Sequence, residues 1–196
     1  MKEIILASAS ERRSSILSSC GIDHRVVVSG VEEEVDEKLN ISDIVVNNAV
    51  RKAEKTAPDA NGAIVIGADT LVVHGSDILG KPGDEAAARE MLKRFSGGEV
   101  EVYTGLCVID AGTGKKAKGF EKSGLFVVSL TDEKVERYFR LLAPYDKAGG
   151  FSIEGVGSLL FDDIRGSYFN ILGLPMMKLA ELFEQVELDI LDFIKK

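Results

Sequence analysis

The chain holds only two cysteines, four prolines and no surplus of positive charge, and each shortage removes a class of protein. Cys20 and Cys107 stand far apart, with no CxxC spacing and no nearby histidine, which counts against a cysteine-built metal centre and a disulfide framework alike. They read as two buried thiols of a reducing compartment. The prolines are scattered, and no low-complexity tract or internal repeat supplies the composition of a disordered tail or linker. Lys and Arg number 24 against 32 Asp and Glu, a net charge of −8, whereas broad nucleic-acid binding needs a basic surface. A small anion stays open as a ligand, because a few cations can focus the field inside one cleft. No run approaches the roughly 20 apolar residues of a membrane span, and the apolar part of Met1–Ser8 is too short for a secretory signal. The expectation is a soluble, cytoplasmic protein.

What is present suits one large domain or two closely joined lobes, since 45% of the 196 residues are hydrophobic. Residues 3–7 read as a short buried strand, followed by a polar turn and a helix with apolar positions Ile16, Leu17 and Cys20 that stops at Gly21. Residues 25–28 suggest a second strand entering the acidic run Glu32–Lys38. Ser42 can cap a helix striped by Val46, Ala49, Val50 and Ala53. Residues 63–73 form a buried strand interrupted by the polar pair Asp69 and Thr70. Asp84 opens a helix striped by Ala88, Met91, Leu92 and Phe95. Strands over 100–109 and 119–130 flank a hairpin signal at residues 111–114. Helices starting at Thr131, with a stop at Pro144, and near Pro175 complete the pattern. The order predicts an α/β fold with a mixed sheet rather than regular βαβ winding.

Chemistry concentrates at a few places. Ser8, Ser10, Arg12 and Arg13 lie in the turn between the first strand and helix, where unpaired amides, the helix dipole, hydroxyls and guanidiniums suit an anion. The plainer alternative is a Ser10 cap beside two solvated arginines. Asp69 sits among β-branched and aliphatic residues, where a carboxylate is costly unless paired or bound to a metal. An acid at such a place can hold Mg²⁺ or orient water. Residues 75–82 nearly spell a Walker A loop, but Pro82 replaces the required hydroxyl, so a hairpin corner projecting Lys81 is expected instead. Lys52 borders the apolar face of its helix, and most such lysines reach for water. Any of Glu32, Glu33 and Glu34 could be the inward acid. The glycines of residues 146–157 allow close backbone approach but lack the helix opening of a dinucleotide fingerprint.

Together these segments resemble the Maf family of nucleotide pyrophosphatases nearly end to end. The residues that carry the likeness are Leu6–Ser10 with Arg12-Arg13, Glu33, Lys52-Ala53, Ile66–Thr70, Gly80-Lys81-Pro82, Leu92 with Ser96-Gly97, Tyr103-Thr104-Gly105, Asp146–Gly149 and Gly173–Pro175. The resemblance implies a two-lobed α/β fold, a single domain over 1–196, with a strongly twisted mixed sheet and a cleft between the lobes. It implies hydrolysis of a nucleoside triphosphate to monophosphate and pyrophosphate with a divalent cation, magnesium first and manganese or cobalt as substitutes. By the same resemblance Asp69 is the catalytic base, Glu33 and Asp69 are metal ligands, and Lys52 is both catalytic and phosphate-facing. Ser8, Ser10, Arg12, Arg13 and Lys81 face phosphates. A homodimer is compatible with it; nucleic acid and membrane are not expected as partners.

The chain departs from the commonest family pattern at three positions. Glu11 stands at the usual proline, Val100 at a frequent histidine, and Glu154 where many members have glutamine. An acid in the first turn of a helix suits its dipole. Base choice in the family is linked to Arg12, Thr70 and the position of Glu154. Arg12 and Thr70 match the branch acting on dTTP and UTP, whereas Glu154 matches the branch resembling 7-methyl-GTP pyrophosphatases. The competing class is a regulator of cell division or septum formation that binds nucleotide without useful turnover.

Overall fold

The structure, a computed structural model, describes residues 2–36, 38–142 and 152–195. Strand β1 (Ile4–Leu6) leads into helix α1 (Glu11–Ser19), β2 (Arg25–Val26) and α2 (Ile41–Thr56). The hairpin of β3 (Ile64–His74) and β4 (Asp77–Leu79) is followed by α3 (Glu85–Phe95), then by β5 (Glu99–Asp110) and β6 (Lys116–Val127). Helix α4 (Asp132–Leu142), β7 (Phe161–Arg165), α5 (Tyr168–Ile171) and α6 (Met176–Gln185) complete the described strands and α-helices. The strands form one mixed sheet in the order β2-β1-β3-β5-β6-β7, with β4 paired to β3. β1 runs parallel to β2 and to β3, and Ile4, Ile5 and Leu6 stand opposite Ile64, Val65 and Ile66. β4 and β7 are antiparallel to their neighbours. Parallel strands covered on both faces read as unbroken apolar runs, as β1 and the start of β3 do.

The chain divides into two compact units, one of residues 1–70, 103–121 and 172–196, the other of 71–102 and 122–171. The first has a core of Ile5, Ala7, Ala49, Ala53, Val65, Cys107 and Ile109. Here α2 rests on glycines: a Cβ on Gly67 would lie 2.1 Å from the Ala49 carbonyl oxygen, and one on Gly105 would lie 2.2 Å from that of Val45. Small residues at these two strand positions let the helix backbone lie directly on the sheet. In the second unit Arg89 on α3 stacks 4.0 Å over the Phe139 ring of α4 and pairs with Glu136.

The structure corrects several local expectations. Asn40, not Ser42, caps α2: its Oδ1 accepts the Asp43 N–H at 2.9 Å, and the Ser42 hydroxyl donates to that same oxygen. Both residue types can cap, and the upstream one is in extended conformation as a cap requires. β3 runs unbroken through Asp69 and Thr70, because both side chains have partners. The β3–β4 turn falls at Gly75-Ser76, so Lys81 follows the hairpin rather than cornering it. β2 is only two residues long, although the Val27 N–H still donates to the Leu6 carbonyl at 3.0 Å. Cys20 is half-buried at the end of α1; burial pushes the Cys107 thiol up to about 12, so it is inert near neutrality. Pro144 and Asp146–Gly149 lie outside the described residues.

Asp110 ends β5 and organises the turn that follows. Its carboxylate accepts from Lys2 Nζ at 2.7 and 2.6 Å, from the Thr113 hydroxyl at 2.8 Å and from the Gly112 N–H at 3.0 Å. Burial pushes this carboxyl up, but the donors outweigh it and hold it below the ordinary 3.8. A carboxyl depressed by folding adds its full stability above the unfolded value and loses it as pH falls through the folded one. Asp110→Asn should therefore cost about 1–2 kcal/mol at pH 7. The gap should close progressively below pH ~4. Urea midpoints of both proteins from pH 7 to 3 check this; a constant gap would contradict it.

Candidate functional site

Ala7 leaves β1 with its N–H on the Ile66 carbonyl at 2.8 Å, which fixes where the following turn begins. The Ser10 N–H donates to Ser8 Oγ at 3.2 Å, and Ser10 Oγ caps α1 by accepting the Arg13 N–H. Arg13, on the first turn of α1, points inward and is 8% exposed. Its Nη1 donates to Ser8 Oγ, its Nη2 to Thr70 Oγ1 and its Nε to the Gly173 carbonyl, each at 2.8 Å. Thr70 Oγ1 also meets Thr104 Oγ1 at 3.0 Å. The guanidinium expected to fork onto phosphate thus has a protein partner on every nitrogen, leaving two of its five N–H groups for a ligand. It fastens the Ser8 turn, the Asp69-Thr70 stretch of β3 and the segment before α6 to one another. Gly173 has φ +94°, and a Cβ there would meet Thr70 Oγ1 at 3.3 Å, so glycine suits the approach. Burial draws the Arg13 guanidinium below its usual range, while the charges of Asp69 and Glu33 oppose the shift.

Asp69 is 2% exposed. Its Oδ1 accepts from Lys52 Nζ at 2.8 Å and its Oδ2 from Asn48 Nδ2 at 3.0 Å. Lys52 is buried, and its Nζ also donates to Glu33 Oε1 at 2.6 Å and to the Ala68 carbonyl at 3.3 Å. One ammonium therefore bridges a buried acid on β3 and an acid 58% exposed on the irregular segment after Val31. Burial pushes the Asp69 carboxyl up; the Lys52 charge and the hydrogen bonds of Lys52 and Asn48 outweigh that and hold it below the usual carboxylate range. Asp69 is ionised at neutral pH, with two of its roughly four lone-pair sites taken.

The structure thus brings Ser8, Ser10, Arg13, Glu33, Lys52, Asp69 and Thr70 into the first unit, along with half-buried Arg12. Lys81 and Glu154 belong to the second unit, where both are exposed. Of the three clustered acids Glu33 is the one that reaches Lys52, while Glu34 pairs with Arg51. Sequence reading missed Asn48 and gave Thr104 no role beyond its place in the Tyr103-Thr104-Gly105 likeness. Asn48 could have been found from its place four residues before Lys52, on the same face of α2.

Among the described residues no group of three or more His, Cys, Asp or Glu gathers as a metal cage. Magnesium does not require one: it commonly takes one or two carboxylates and completes its shell with water and substrate phosphates. Glu33 and Asp69 are hard oxygen donors that already share one cationic group, so the donor set fits such an ion.

The sequence profile described as Maf-like protein matches residues 3–186. A dTTP/UTP pyrophosphatase of Desulforamulus reducens is 41% identical over 97% of this chain and 100% of its own length. A dTTP/UTP pyrophosphatase of Bacillus cereus is 40% identical over 97% of this chain and 93% of its own. A solved nucleoside-triphosphatase / dITP/XTP pyrophosphatase of Mycobacterium abscessus aligns at 16% identity and a TM-score of 0.42, covering 94% of this chain and 96% of that one.

Proposed function

This chain belongs to the Maf-like protein family and is a nucleotide pyrophosphatase, and we propose that it hydrolyses dTTP and UTP to their monophosphates and pyrophosphate. The observation that carries the reading is the Lys52 ammonium held between the Glu33 and Asp69 carboxylates. The names of the full-length relatives support the choice of base, as do Arg12 and Thr70. Glu154 matches the branch resembling 7-methyl-GTP pyrophosphatases, so at this one position the likeness points the other way.

In the proposed reaction a water oxygen forms a bond to the α-phosphorus and the bond from that phosphorus to the α,β-bridging oxygen breaks. Pyrophosphate leaves with the electron pair. Asp69 orients the water through its remaining lone pairs and takes its proton. A divalent cation, magnesium or in its place manganese or cobalt, would be held by Glu33 and Asp69 and would neutralise triphosphate charge when bound. Lys52 shifts its hydrogen bonds from carboxylate towards phosphate, and Ser8, Ser10 and Arg12 stabilise charge on the phosphates, where most phosphoryl-transfer catalysis resides. Arg13 acts mainly by fixing Ser8 and Thr70. A regulator that only binds nucleotide would have no use for an ionised acid buried at this point.

The test is to incubate the protein with Mg²⁺ and a panel of canonical and modified nucleoside triphosphates and to resolve the products. Monophosphate with pyrophosphate is expected, with kcat/KM for dTTP and UTP roughly tenfold or more above that for purine nucleotides. Diphosphate with orthophosphate, or no turnover across the panel, would overturn the reading.

A further inference from the structure

We propose that Asn48 is a positioning residue of the hydrolytic site: its carboxamide ties the segment carrying Glu33 to Asp69 and makes the two carboxylates converge on one cation. The role rests on the pyrophosphatase reading above. Residues 32–36 form neither helix nor strand and are all exposed, so although Lys52 holds the Glu33 side chain, the backbone that carries it has a fixed position only if it is anchored from outside. Asn48 is 2% exposed and supplies that anchor. The Glu34 N–H donates to Asn48 Oδ1 at 3.0 Å, and Asn48 Nδ2 donates to the Glu34 carbonyl at 3.0 Å. This paired contact to the backbone of one residue imitates a rung between antiparallel strands. The second Nδ2 hydrogen goes to Asp69 Oδ2 at 3.0 Å, so one planar group joins the segment to the buried acid.

Only a short carboxamide supplies two donors and an acceptor in one plane at this reach. Leucine has nearly the same shape and makes none of the three bonds. The segment's other tie to α2 through Glu34, the Arg51–Glu34 ion pair at 2.8 Å, leaves 36% and 72% of those side chains exposed. Such a pair holds little in water. Arg51 Nη1 also reaches Asn48 Oδ1, but at 3.5 Å, a marginal bond beside the two at 3.0 Å to Glu34, so the anchor and the ion pair can still be separated by mutation.

The experiment compares Asn48→Leu, Asn48→Ala and Arg51→Ala with the parent in the full chain. Mn²⁺ binding to the protein without nucleotide is read by electron paramagnetic resonance, and hydrolysis of UTP with Mg²⁺ is followed in steady state. In both Asn48 variants the Mn²⁺ dissociation constant should rise and kcat should fall, each about tenfold or more, as for groups that orient metal ligands. KM for UTP should stay within about twofold, because these bonds position the acids rather than hold the nucleotide. Arg51→Ala should match the parent. Asn48→Ala asks less of the surrounding packing and carries the test if Asn48→Leu does not fold. Asn48 variants within twofold of the parent in both quantities overturn the proposal. So does a loss of activity that only tracks the folded fraction while Mn²⁺ affinity is unchanged. A parent that releases no pyrophosphate from any nucleotide defeats the pyrophosphatase reading instead, and the Mn²⁺ measurement still decides the role of Asn48.

Discussion

Asp69→Asn should lower kcat for nucleoside triphosphate hydrolysis roughly a thousandfold, with a melting temperature within several degrees of the parent. The substitution keeps shape and burial but removes the charge on which the proposed roles depend. Its amide must also face two donors, since Lys52 Nζ approaches one oxygen at 2.8 Å and Asn48 Nδ2 the other at 3.0 Å. Whichever way the amide turns, one N–H faces another. The cost of that lost bond is about 1–3 kcal/mol. It is limited further because Lys52 keeps Glu33 as a partner. Stability and turnover therefore part company in this variant. Steady-state kinetics at saturating nucleotide, beside a thermal melt, checks the claim; turnover within tenfold of the parent would remove Asp69 from the chemistry.

Gly105→Ala should damage both properties at once. A Cβ at this position would lie 2.2 and 2.3 Å from the carbonyl oxygen and carbon of Val45 and 2.5 Å from the Val46 nitrogen, against 3.4–4 Å for ordinary contact. All three are backbone atoms of α2, so no side chain can swing aside; the helix itself must lift. Overpacking of this kind is expected to cost about 3 kcal/mol or more. The same helix delivers Asn48 and Lys52 to Asp69. A displacement of about 1 Å at those contacts should lower turnover on the order of a hundredfold in the molecules that still fold. The urea midpoint and kcat together test this, and a variant that keeps either one near the parent value would show that α2 is not seated as described.

Where a helix buries one stripe or a strand is buried on both faces, the spacing of apolar residues was enough to read the fold. The stripe of α3 with its Asp84 cap and the stripe of α6 after Pro175 are in place, and Ala88, Leu92, Phe95, Leu179, Leu182 and Phe183 are all buried. Asp69 was legible for the same reason, as a charge amid β-branched neighbours. Periodicity does not say which polar residue beside an apolar stripe turns inward, because that is decided by a partner distant in sequence. Lys52 turns in to meet Asp69, 17 residues away, and Arg13 turns in to meet the Gly173 carbonyl, 160 residues away. Arg13 borders the stripe that begins at Ile16, which hinted at burial but not at its three partners. Asn48 escaped because a lone carboxamide on a helix resembles any solvated one until the segment it grips is known. Gly105 stood out in the Tyr103-Thr104-Gly105 likeness, but nothing in the strand pattern said why a glycine was needed there until a helix was seen lying on it.

The lysine between the two acids also bears on how the protein fares when divalent ions are scarce. Two carboxylates brought together for a metal would ordinarily repel once the metal left and would pry the segment after Val31 away from β3. Here the chain carries a resident countercharge on α2, so the pair remains neutralised in part by a group that cannot diffuse away. On the proposed reading, loss of the divalent ion should idle the protein without unmaking it, and a thermal melt with and without chelator should show nearly the same midpoint.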